Sequence, residues 1–173
     1  MKSRCVIGER KLIASMKEFV EAQQNDVHGR PPINGAFRVV NGTALKLVDQ
    51  IRLFHAASIV VGPHGAGLTN AMFMKKGSVL MEFPVRTYQG LRVAPFDFCL
   101  TCNFYLSMKG HAQLLYFKYI ALVSHLHYYE VQEVFAYGDG HFQVTDHGIE
   151  TIRSYIFSGN RLLTEEENRN SDL

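Results

Sequence analysis

Apolar positions along this 173-residue chain fall into two kinds of pattern, short continuous runs and longer stretches spaced three or four apart. That pattern predicts strands alternating with helices. Cys5–Gly8 reads as a short strand, and Arg10–Gln24 puts Leu12, Ile13, Met16, Phe19 and Val20 on one helical face. Asn25 to Gly35, with Gly29, Pro31, Pro32 and Gly35, is a loop. Ala36–Val40 is a predicted strand. Asn41-Gly42-Thr43 turns the chain and offers Thr43 as the N-cap of a helix over Ala44–Ala57, with Leu45, Val48, Ile51 and Phe54 facing inward. Ser58–Gly62 is a continuous apolar run of the kind found in a parallel strand covered on both faces.

After a glycine-rich turn, Leu68–Met74 reads as a helix stopped by Gly77, and Ser78–Phe83 as a strand ended by Pro84. Arg86 to Met108 is aromatic-rich and fits an irregular insert. Ala112–Leu126 predicts a helix with Leu115, Tyr119, Leu122 and Val123 on its buried side, followed by a strand over His127–Val131. Phe135–Val144 is a loop or hairpin. Asp146 caps a final helix through Phe157, with Ile149, Ile152, Ile156 and Phe157 inward, and the polar residues after it predict a disordered tail. Five strands each followed by a helix imply an α/β fold with a Rossmann-like open parallel sheet flanked by helices. In such sheets ligands bind beyond the carboxyl ends of the strands, which directs attention to the loop after Val61.

Composition narrows the function classes. The chain is 47% apolar and 20% charged, with a net charge of +2, too balanced for a nucleic-acid binder driven by counterion release. No apolar stretch approaches the roughly 20 residues that span a bilayer. Glu9, Arg10 and Lys11 interrupt the N-terminal segment, so it is not a signal peptide. The three cysteines are an odd number, and Cys99 and Cys102 form a C-x-x-C pair with no second ligand pair, so they read as packed or partly exposed thiols rather than a zinc site. His125 and His127 straddle a predicted helix end and strand and read as polar residues at a sheet edge. His55 fits a cap at the end of its helix, where partial negative charge favours it. Gly138-Asp139-Gly140 is a turn, and Asn41-Gly42-Thr43 is also an N-glycosylation sequon.

Gly62-Pro63-His64-Gly65-Ala66-Gly67-Leu68-Thr69-Asn70 is the most informative stretch. It follows a predicted buried strand and opens a predicted helix, the setting of a phosphate loop. Gly65 and Gly67 let the backbone turn and bring its N–H groups close to an anion, the helix N-terminus adds partial positive charge, and Thr69 and Asn70 add side-chain donors. His64 can donate to a phosphate oxygen. Glu82, twenty positions after Gly62 at the end of the next strand, is placed to accept from ribose hydroxyls. The glycines are spaced G-x-x-G-x-G, which is neither the dinucleotide pattern nor a Walker loop, so the pattern favours a nucleotide diphosphate over NAD. An H-G-x-G loop also occurs in α/β-hydrolases, but no G-x-S-x-G nucleophile elbow is present. A tight strand–helix turn with no ligand remains the alternative for the glycines alone.

Asp49-Gln50-Ile51, the unbroken string from Phe54 to Met74, Gly77-Ser78 and Glu82 together resemble the C-terminal signature of glycosyltransferase family 61. The resemblance spans roughly Phe37 to Phe157. It divides the chain into a poorly matching strand–helix segment (1–35), a nucleotide-sugar-binding domain (36–158) and a polar tail (159–173). It implies the C-terminal, donor-binding half of a GT-B enzyme that transfers a hexosyl or pentosyl unit from a nucleotide sugar such as a UDP-sugar, with inversion, to a glycan or glycoprotein hydroxyl. Under that resemblance His64 is the catalytic candidate, and Gly65, Ala66, Gly67, Leu68, Thr69, Asn70 and Glu82 are the substrate-binding candidates. No two aspartates lie at i and i+2, so no D-x-D metal clamp is expected, nor any other cofactor. A GT-B enzyme needs about twice this length, which implies that an N-terminal domain carrying the general base precedes this segment in the parent protein. Residence in the endoplasmic reticulum or Golgi lumen, with any membrane attachment through an N-terminal anchor, follows from the same resemblance. The alternative from another functional class is a catalytically inactive nucleotide-binding or interaction module built on the same fold.

Overall fold

The computed structural model describes residues 6–24, 35–41, 44–83, 116–131, 134–136 and 142–171. Strand β1 (Val6–Ile7) leads into helix α1 (Glu9–Gln24). Helix α2 (Leu47–Ala56) precedes strand β2 (Ile59–Pro63), a 3-10 helix over Ala66–Phe73, and strand β3 (Val79–Phe83). Helix α3 (Tyr116–Val123), strands β4 (His127–Glu130), β5 (Val134–Ala136) and β6 (Phe142–Val144), and helix α4 (Asp146–Ser171) follow. Two three-stranded sheets form among the described residues. One is parallel throughout, in the order β2-β3-β4; the other has the order β1-β6-β5, with β1 parallel and β5 antiparallel to β6. The expected α/β architecture with a parallel sheet between helices is therefore present, but β1 does not join that sheet.

The parallel sheet is organised by its middle strand. All five residues of β3 are buried, and their alternation divides the core in two, as the two-residue period of a strand requires. Val79, Met81 and Phe83 pack with Met16 of α1 and Ile149, Ile152 and Ile156 of α4. Leu80 packs on the opposite face with Leu68, Ala71 and Met74 from the 3-10 helix segment, and with Phe117, Ala121 and Leu126 from α3 and the residues after it. Parallel strands need crossover connections, and these put helices on both faces. Around β3 the ladder continues beyond the strand ends: Val79 N–H donates to the Ser58 carbonyl at 2.8 Å, and His64 N–H to the Phe83 carbonyl at 2.9 Å. Gly77 holds φ +82° in the turn that leads into β3, a left-handed conformation that favours glycine.

Several expectations are corrected here. Ala36–Val40 forms no strand; these residues are exposed, and an apolar run without a partner to hydrogen-bond has no ladder to join. The run at Ser58–Gly62 includes half-buried residues and an exposed Val61, because among the described residues only β3 pairs with it. Helix α2 begins at Leu47, with Lys46 in the cap position and no side-chain cap bond. The helix expected over Leu68–Met74 starts at Ala66 and is 3-10, with bonds such as Leu68 N–H to the Gly65 carbonyl at 2.9 Å.

Further corrections concern the last two helices. On α3 the buried side is Phe117 and Ala121, while Tyr119, Leu122 and Val123 are 61%, 70% and 78% exposed. Both faces of that helix are apolar, so periodicity did not distinguish them; the small Ala121 permits the close approach to the 3-10 helix. Phe157 is exposed, whereas Ile149, Ile152 and Ile156 are buried as expected. The segment predicted as a disordered tail continues α4 to Ser171; Arg161, Leu162, Leu163 and Glu165 to Glu167 are good helix formers and extend a helix already nucleated by packing. The predicted hairpin over Phe135–Val144 is represented by the antiparallel β5–β6 pair. Thr43, the insert Arg86–Met108 with Cys99 and Cys102, and the Gly138–Gly140 turn lie outside the described residues.

Helix α4 comes close to the sheet at Gly159, where a Cβ would lie 2.8 Å from Val79 Cγ2. A helical Gly→Ala change normally gains up to about 1 kcal/mol. Here the added methyl meets a fully buried branched side chain, and overpacking of this kind costs about 1–3 kcal/mol. Gly159→Ala is therefore expected to lower the thermal midpoint followed by circular dichroism; an unchanged or raised midpoint would contradict the close packing.

Candidate functional site

The glycine loop emerges where expected, at the carboxyl end of β2. Gly62 is the position that fixes its path. A Cβ there would sit 3.2 Å from Leu68 Cδ2, so glycine lets the buried Leu68 fold back against the strand. Gly65 has φ 166° and ψ 168°, extended backbone open to any residue, and a Cβ at Gly67 would meet nothing within 4 Å. The glycines after His64 thus contribute bare, accessible backbone rather than unusual dihedrals. Ala66 and Gly67 are exposed, Gly65, Thr69 and Asn70 are half-buried, and Leu68 is the apolar anchor.

His64 points the other way, into the protein. It is 5% exposed and Glu82 1%. The β2–β3 register sets Gly62 beside Glu82 and Pro63 beside Phe83, which brings the residue after β2 next to the end of β3. His64 Nδ1 makes a short hydrogen bond to Glu82 Oε1, and the ring packs edge-on against Phe117 with centroids 5.0 Å apart. Tyr128 Oη donates to the other carboxylate oxygen, Oε2, at 2.5 Å. In register Tyr128 stands opposite Leu80, so it shares a face with Leu80 and Glu82 across two strands. A carboxylate buried to this degree needs such partners, since an uncompensated buried charge is costly. With its proton on Nδ1, the His64 ring donates to Glu82 Oε1.

The remaining candidates divide. Asn70 Nδ2 donates to Gln50 Oε1 at 2.8 Å, and Gln50 Nε2 donates to the Leu45 carbonyl at 3.0 Å. Asn70 therefore ties the 3-10 helix to the segment that begins α2. His55 Nδ1 bonds the Phe73 carbonyl at 3.1 Å, so it caps the end of the 3-10 helix and not its own helix. His125 lies in the left-handed region with φ 55°, and its carbonyl accepts from Gly77 N–H at 2.9 Å, a turn role. Tyr128 and Phe117 were missed as members of the site. The signal that can find Tyr128 is the strand order: with His127–Val131 placed beside Ser78–Phe83, alternate positions 128 and 130 fall on the Glu82 side.

Comparison with known proteins bears on this loop. The family model described as Glycosyltransferase 61 matches residues 1–81. Over that part, the chain is similar to glycosyltransferase family 61. The match takes in β1, α1 and α2 as well as the whole loop from Gly62 to Asn70, and it stops one residue before Glu82. It thus includes residues 1–35, set apart above as poorly matching. No curated protein and no solved structure matches the chain. That similarity supports a glycosyltransferase in general terms.

The carboxylate clamp makes a quantitative expectation. Tyr128→Phe removes one donor to a buried charged acceptor and is expected to cost roughly 1–3 kcal/mol in urea unfolding. Because Tyr128 and Glu82 share a hydrogen bond, the double variant Tyr128→Phe with Glu82→Ala is expected to lose less than the sum of the two single variants. Strictly additive losses would contradict the shared hydrogen-bond network.

Proposed function

We propose that this chain supplies the nucleotide-sugar site of a family 61 glycosyltransferase. The enzyme transfers the sugar, with inversion at the anomeric carbon, to a hydroxyl of a glycan or protein. The observation that carries the proposal is the exposed backbone of Ala66 and Gly67, at the carboxyl end of a parallel strand and within the residues matched by the family model. In parallel α/β sheets this is the position where ligands bind.

Sugar transfer leaves negative charge on the departing diphosphate, and whatever meets that charge must be better placed in the transition state than in the bound substrate. The loop answers with N–H groups at the start of the 3-10 helix. The partial positive charge of a helix start contributes about 0.3–1 kcal/mol at an exposed position, so it orients an anion more than it holds one. His64 is the side chain of the loop able to add a full charge. Thr69 lies within the same turn of the 3-10 helix and adds a hydroxyl donor. An inverting transfer also needs a base at the acceptor hydroxyl, and none of the loop residues is assigned that part.

Titration with UDP, followed by amide chemical shifts, is the direct test. The amides of Gly65 to Asn70 are expected to shift at millimolar UDP, and an unchanged loop would sink the proposal. Gly67→Asp is a clean perturbation, because the added side chain starts in open space and so leaves the fold alone while placing a negative charge on the loop. It is expected to weaken UDP binding about tenfold or more, whereas Gly67→Ala retains it. Equal binding by both variants would move the diphosphate elsewhere.

A further inference from the structure

We infer, resting on the donor-site reading above, that Tyr116 at the start of α3 is the stacking platform for the base of the nucleotide whose diphosphate the glycine loop takes. A chain of ring contacts carries this. Phe117 packs edge-on against His64 with centroids 5.0 Å apart, and Tyr116 packs edge-on against Phe117 at 5.1 Å and 83°. Phe117 is 2% exposed, whereas Tyr116 is 46% exposed. A row of three rings therefore runs from inside the protein to its surface, and its last member is open to solvent. Because His64 lies within the loop and directly after β2, the same row brings the first turn of α3 to the end of the sheet from which the loop leaves.

Recognition of a diphosphate by backbone N–H groups does not separate a nucleotide from inorganic pyrophosphate. The base has to be met by something else, and it is a flat, uncharged ring. An aromatic side chain open to solvent is the group suited to it, since stacking engages the face of a base whatever hydrogen-bonding edge the base carries. The spacing agrees with the ligand. In a nucleotide one sugar ring separates the base from its phosphates, and in the protein one phenyl ring separates Tyr116 from His64. Phe117 also gives the platform a fixed seat. It is buried between the sheet and the 3-10 helix, so the ring that rests on it has less freedom to lose when a ligand binds. The other exposed apolar residues of α3, Tyr119, Leu122 and Val123, lie further along the helix, which advances 1.5 Å per residue. Tyr116 stands at its loop end.

The experiment titrates the whole chain with UDP and, separately, with inorganic pyrophosphate, followed by NMR. Both probes are expected to shift the amides of Gly65 to Asn70. UDP is also expected to show nuclear Overhauser contacts between its uracil protons and the ring of Tyr116. Tyr116→Ala is expected to weaken UDP binding about tenfold and to leave pyrophosphate binding unchanged. Tyr116→Phe keeps the stacking face and is expected to bind UDP like the parent chain. The pyrophosphate titration shows in each variant whether the loop is intact. If Tyr116→Ala lost pyrophosphate and UDP binding together, Tyr116 would be a support of the loop and the platform would be overturned. The platform falls, with the donor site left standing, if Tyr116→Ala binds UDP as the parent does. It falls in the same way if the loop amides shift with UDP while no contact joins uracil to the Tyr116 ring. Absence of amide shifts with UDP would overturn the donor site, and the platform with it.

Discussion

Strand β3 must bury five consecutive residues, and one of them is a carboxylate. That constraint shapes everything around it. Val79, Met81 and Phe83 draw α1 and α4 onto one face, and Leu80 draws the 3-10 helix and α3 onto the other. Glu82 can draw nothing apolar. It has to be satisfied by hydrogen bonds, and the partners come from both neighbouring strands: His64 just past the end of β2, and Tyr128 on β4. Among the described residues, the buried carboxylate thus lies where three parallel strands meet. This is also where the loop with exposed backbone leaves the sheet. An apolar residue of similar volume would pack as well or better, so burial of a charge there does not explain itself by stability.

The parts of the fold that were legible in the sequence are those whose local pattern and tertiary environment agree. SVLMEF is a strand wherever a sheet buries it on both faces, and Ile149, Ile152 and Ile156 mark one stripe of α4 without ambiguity. Misreadings occurred where local pattern had more than one solution. Ala36–Val40 alternates apolar residues well enough, but a strand is a property of a pair. In α3, Phe117 and Ala121 compete with Tyr119, Leu122 and Val123 for the inward side, and the winner was chosen by what faces it, the tight 3-10 helix carrying Leu68 and Ala71. The polar end of α4 has no apolar stripe to announce a helix, and it is helical because it propagates from one that does.

The same logic explains what was legible in the site. The loop from Gly62 to Asn70 is contiguous in sequence, so its glycines, its position after a strand and its family signature could all be read along the chain. His64 and Glu82 were each picked out, but as two separate ligand contacts. Their bond depends on the register that sets Gly62 against Glu82, and the third member is 46 residues further on. Along the chain, only the order of the strands points to Tyr128, by setting it on the Glu82 side of the sheet. Asn70 shows the converse: its type fits a donor to a ligand, while the structure spends its amide on Gln50.

The buried network also bears on whether the glycine loop is only a tight connection. A connection needs Gly62, because Leu68 folds over it, and it needs an apolar Leu68. It does not need bare backbone at Gly67, where a side chain has room, and it does not need a histidine braced by a carboxylate and a phenol in an otherwise apolar layer. Phe117 could pack against any apolar ring in place of His64 with no polar debt to settle. The residues that a turn alone would not require are the ones that an anion site does require, accessible N–H groups above and an oriented imidazole below. They lie within nine consecutive positions and at the ends of neighbouring parallel strands. On physical grounds these features support the proposed anion site over a bare connection, and they meet beside the carboxylate that β3 buries.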